Sequence, residues 1–85
     1  MGTELEYEAE MLRRASEHIA EGESRIALQM IQLAEMRERG HDTHEAERLL
    51  RVFQDTMDTW RIHREAIQAR IGYLKQIGAS GLPES

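Results

Sequence analysis

The 85-residue sequence predicts an all-α protein, an antiparallel two-helix hairpin of coiled-coil type that assembles into a four-helix bundle. Three observations lead there. Apolar residues recur every seven positions along two long segments, each segment opens on a capping-box pattern, and a short glycine-containing turn separates them. The composition agrees: aromatic residues are 5% of the chain and there is one proline, a mix that suits helices better than pleated sheet.

The first helix is expected over about 4–39. Thr3-Glu4-Leu5-Glu6 has the capping-box spacing, in which the hydroxyl accepts the backbone N–H of Glu6 and the carboxylate reaches back. Leu5, Leu12, Ile19, Ile26 and Leu33 then recur by seven, with Ala15, Gly22, Met30 and Met36 on the same side. A seven-residue apolar repeat sustained this long belongs to a helix whose seam meets another helix. Gly22 costs about 1 kcal/mol relative to alanine inside a helix, so a close helix–helix approach is its expected reason.

The turn is expected at 40–42. Gly40 ends the first helix, and Asp42-Thr43-His44-Glu45 repeats the capping-box spacing, with Asp42 as the cap. Arg37 and Arg39 before the turn, and Glu45 and Glu47 after it, are the charges that the two helix dipoles favour. His41 and His44 stand three apart here. Two histidines without a cysteine fall short of the three or four ligands a metal site needs, so the segment reads as a turn. So short a connection makes the helices antiparallel neighbours.

The second helix is expected over about 43–77. Ala46, Phe53, Trp60, Ile67 and Leu74 are spaced by seven, and Leu50, Met57 and Ile71 follow three of them by four. Gly78 is expected to supply the left-handed stop, leaving 1–78 as the hairpin and 79–85 as a flexible polar tail. Folding at 40–42 sets Leu33 near Leu49, Ile26 near Met57, Ile19 near His63 and Leu12 near Arg70 or Ile71.

A two-helix hairpin shields one side of each seam and leaves residues such as Trp60, Phe53, Met30 and Met57 partly wet. Self-association through Leu5, Leu12, Ile19, Ile26, Leu33, Phe53, Met57, Trp60, Ile67 and Ile71 is therefore expected, as a homodimer or higher oligomer. A second surface, Ile62, Ala66, Ala69 and Tyr73, steps by four, three and four, and Leu28 and Ile31 form a smaller pair on helix one. These faces suit a larger oligomer or another helical protein.

Chemistry is sparse. With no cysteine, disulfides, thiol catalysis, thiolate zinc and iron–sulfur clusters are excluded. Eleven basic against sixteen acidic side chains give a net charge of −5, which disfavours nucleic acid as a partner. No apolar run reaches the ~18 residues of a membrane span, and the glutamate-rich start lacks the pattern of an export signal, so the expected location is the cytoplasm. Ser16, Ser24 and Thr56 lack a base-and-orienter arrangement, and no glycine-rich phosphate loop occurs. The sequence therefore reads as a non-enzymatic interaction or scaffold module without a cofactor. The alternative is a metal- or ligand-binding bundle using His18, Glu21 and His63, although His18–Glu21 runs opposite to the Glu-x-x-His order of di-iron bundles.

The stretches "SEHIAEGESRIA", "GHDTHEAERLL" and "VFQDTMDTWRIHREAI" resemble a group of short bacterial helical-hairpin proteins, over about residues 16–70. The resemblance implies an independent small protein. It implies no activity, ligand or catalytic residue.

Overall fold

The computed structural model describes residues 3–80, which form two helices: α1, Glu4–Glu38, and α2, His44–Ser80. Among the described residues the architecture is an all-α helical hairpin without strands.

The start of α1 is the box that the sequence predicts. The Glu6 N–H donates to Thr3 Oγ1 at 3.1 Å, and the Thr3 N–H donates to Glu6 Oε1 at 2.8 Å. Its end is a Schellman motif. Gly40, at φ 72°, donates its N–H to the Arg37 carbonyl at 3.1 Å, and the His41 N–H reaches the Met36 carbonyl at 2.9 Å. A side chain at 40 would strain that left-handed backbone, so glycine is required there.

The second start differs from expectation by one residue. Thr43 precedes the helix, and its carbonyl accepts the Glu47 N–H at 2.8 Å. Asp42 accepts only the His44 N–H, at 3.0 Å, as the side chain of an Asx turn. Glu45 does not fold back to complete a box, because Arg48 holds it by two hydrogen bonds at 2.5 and 3.1 Å. The expected stop at Gly78 is also absent: α2 runs through it to Ser80, with no positive φ there. Glycine weakens a helix but does not remove its hydrogen-bond ladder, and only a left-handed turn would have made it a terminus. Positions 79 and 80, expected in the tail, are helical, and 81–85 lie outside the described residues.

The two seams pack against each other. Ala15, Ile19, Leu33, Leu50, Met57 and Ile67 are the buried apolar residues, and Leu5, Leu12, Ile26, Phe53, Trp60 and Ile71 are half-buried along the same line. Gly22 lies directly under Met57: a Cβ at position 22 would stand 2.0 Å from the Met57 sulfur. Met57 thus packs over Gly22, and it is 4% exposed rather than partly wet. Met30, expected on the seam side, is exposed, because it follows Ile26 by four and sits at the edge of the interface.

Ion pairs link the ends and middle of the hairpin. Arg37–Glu47 at 2.9 Å joins the end of α1 to the start of α2, Arg61–Glu23 at 3.2 Å joins the middles, and Arg70–Glu8 at 3.1 Å joins the start of α1 to the second half of α2. Glu8 is an acid in a buried seam position, and Arg70 stands against it. The two atoms are an ion pair at 3.1 Å without hydrogen-bond alignment, so Arg70 offsets the buried charge of Glu8 by attraction alone and favours the register that joins them.

Candidate functional site: an open groove beside the seam

The two flanks of the seam differ. On α1, Glu23 and Arg37 each follow a buried seam residue by four positions, whereas His18 precedes the buried Ile19 by one and Arg25 precedes the half-buried Ile26 by one. Those placements lie on opposite sides of a helix seam. The first flank is where Arg61–Glu23 and Arg37–Glu47 bridge the helices. The second is a chain of three grooves, of about 180, 260 and 390 Å³.

The largest groove is lined by Met11, Arg14, Glu17, His18, Trp60 and His63, among others. Trp60 is half-buried and has a histidine on either side. His18 meets it edge-on with ring centroids 4.6 Å apart, and His63 meets it edge-on at 5.6 Å. The neighbouring groove holds Arg25, whose guanidinium lies 5.8 Å from the Phe53 ring centroid in a cation–π contact. The third, near the turn, is lined by Gln29, Leu33 and Leu49, and the buried Gln29 Oε1 has no hydrogen-bond partner among the described residues.

Three of the sequence-nominated residues, His18, Glu21 and His63, share the largest groove. They do not form a ligand cluster: among the described residues, no three His, Asp or Glu side chains are grouped to hold a metal ion. His63 meets the Trp60 ring edge-on. His41 is exposed in the turn and His44 is exposed at the first position of α2.

The second surface is where the spacing puts it. Ile62, Ala66, Ala69 and Tyr73 are all exposed, as are Leu28 and Ile31. Leu49, expected beside Leu33, is 52% exposed, and sequence reasoning missed Val52 and Ile77, exposed at 52 and 43%. A second heptad count along α2, taken one residue before each seam position, would have found all three as a stripe.

The strongest electrostatic perturbations lie elsewhere, on exposed helix surface. Hydrogen bonds from Arg13 and then Arg14 hold the Glu10 carboxyl down at about 2. Arg48 lowers Glu45, and the Thr43 hydroxyl followed by Arg37 lowers Glu47. Glu45 and Glu47 stand at the start of α2, and Glu10 joins the groove only through its partner Arg14. Nothing in the groove presents an activated nucleophile beside a base.

No family model, curated protein or solved structure matches the chain. The fold and groove define a class only: a small all-α hairpin with one closed and one open flank. Among the described residues no helix is long and apolar enough to cross a membrane.

Proposed function

We propose that the chain is an oligomerising interaction module without catalytic activity, an antiparallel hairpin that pairs with a second copy through its open flank to form a four-helix bundle. The observation that carries this reading is the imbalance between covered and uncovered apolar surface. Among the described residues, only Ile19 and Ile67 are fully buried large side chains, while nine large hydrophobic residues are more than 40% exposed. An isolated pair of helices of this size has little core to hold it. The ion-paired flank is already bridged, so the grooved flank, with half-covered Trp60 and Phe53, is the side left to receive a partner. A donor from that partner would also satisfy the Gln29 oxygen, whose burial alone costs about 1–3 kcal/mol.

The test is solution mass by sedimentation equilibrium, with helicity followed by circular dichroism. The wild-type chain is expected to be a dimer or larger, and Leu49→Glu with Tyr73→Glu to reduce it to one chain. Ile31→Glu, which follows seam residues Ile19 and Ile26 by twelve and five positions and so lies on the far side of α1, is expected to leave the mass unchanged. A wild-type mass of one chain at high micromolar concentration would refute the proposal.

A further inference from the structure

The exposed stripe on α2 carries a symmetry that says how the second copy sits, and this inference rests on the self-association proposed above. Positions 49, 52, 56, 59, 63, 66, 70, 73 and 77 alternate steps of three and four, which places them on one line along the helix. That line borders the grooves, since Leu49, Thr56 and His63 each line one of the three. It carries large apolar side chains at both ends, Leu49 and Val52 at one and Tyr73 and Ile77 at the other, and between them Thr56, Thr59, His63, Ala66 and Arg70. Counting outward from His63 in both directions gives matching positions: 63±14 are Leu49 and Ile77.

We propose that two copies associate α2 against α2, antiparallel, about a two-fold axis at His63. Three observations agree on this axis. His63 is the centre of the stripe, and it lies one residue from the midpoint of α2, His44–Ser80, so the arrangement overlaps the two helices along their whole length. The two-fold sets Leu49 beside Ile77 of the second copy and Val52 beside its Tyr73, at both ends at once. It also sets Arg70 opposite Thr56 rather than another cation, and Arg70 is already neutralised by Glu8. A parallel pairing also meets His63 on His63, but it stacks Arg70 on Arg70, with like side chains at every level. An isologous contact requires a self-complementary patch, and this stripe is one.

The area is adequate. Leu49, Val52, Tyr73 and Ile77 are 52, 52, 64 and 43% exposed. Together they leave roughly 400 Å² of side chain uncovered in each copy. With the groove walls around Trp60, the contact comes to about 1,000 Å² counted over both partners, the size of a weak or transient dimer contact.

The chain contains no cysteine, so single introduced thiols report the geometry directly. His63→Cys, Leu49→Cys and Ile77→Cys are each treated with a short bismaleimide, alone and mixed, at a concentration where the untreated chain is dimeric. All three positions are exposed in the hairpin, and circular dichroism checks that each variant is as helical as wild type. The expected pattern is a covalent dimer from His63→Cys alone, and from Leu49→Cys only when mixed with Ile77→Cys. A dimer in which Leu49→Cys links to itself, or in which His63→Cys stays unlinked, overturns the α2-on-α2 arrangement and leaves self-association standing. A monomer overturns both.

Discussion

Gly22 and Met57 make the sharpest test of the packing. A methyl at position 22 would stand 2.0 Å from the Met57 sulfur and 2.7 Å from its terminal methyl, well inside contact distance. Gly22→Ala therefore has two opposed effects. Alanine improves the helix by about 0.8–1 kcal/mol, and forcing a buried side chain aside costs about 1–3 kcal/mol. The net is a loss of about 0–2 kcal/mol. Met57→Ala alone removes a side chain that is 4% exposed, and should cost about 2–5 kcal/mol. In the double variant the new methyl enters the space that Met57 leaves, so the clash disappears while the helix gain remains. The pair should then be less destabilised than the sum of the singles by about 1–3 kcal/mol. Urea unfolding followed at 222 nm, at one fixed chain concentration because association contributes to apparent stability, measures the cycle. Additivity to within about 0.5 kcal/mol would show that the helices do not approach at Gly22, and the register built on that contact would fall.

Three further outcomes follow from the same coordinates. Glu10, held at about 2 against an ordinary value of 4.5, adds stability that is complete above pH 4.5 and is lost as pH falls toward 2. Glu10→Gln should flatten the fall in melting temperature across that window, weakly and less so in high salt because the pair is exposed; an unchanged slope at low salt would count against the Arg13 and Arg14 contacts. Trp60→Ala should cost about 2 kcal/mol in a dilute hairpin, where the ring is half-buried, and rise toward the ~3–5 kcal/mol of full burial as association covers the groove. A cost independent of concentration would place Trp60 outside any interface. Finally, Zn²⁺, Fe²⁺ or Mn²⁺ should not raise the melting temperature of untagged protein. A stabilisation of ~2.7 kcal/mol at 100 times the dissociation constant, abolished by His63→Ala, would establish the metal-binding alternative at His18, Glu21 and His63.

Much of the hairpin was legible because its signals are local. The Thr3–Glu6 box, the helix end at Gly40 and the heptad seams each depend on residues within one or two turns of each other, and each appears where the spacing puts it. The errors are also local in kind. Asp42 and Thr43 both suit a helix start, and the choice between them turned on Arg48 holding Glu45 out of the box. Gly78 carries the same residue type as Gly40 but a different backbone angle, which composition does not encode. His18, Glu21 and His63 line one groove without forming a ligand cluster among the described residues, and the tryptophan ring that both histidines meet is not legible from spacing.

The sequence by itself determined that the chain makes two long amphipathic helices joined at Gly40, because heptad periodicity and capping need only neighbours along the helix. Only the tertiary structure decided which flank of the seam is closed and which is open. That asymmetry comes from Arg61 meeting Glu23, 38 residues away, and from Trp60 settling between His18 and His63. Each charge and ring has several partners within reach along its own helix, as Arg61 has in Asp58. The choice among them is made by the azimuth at which two helices dock, a property of the pair that neither helix carries alone.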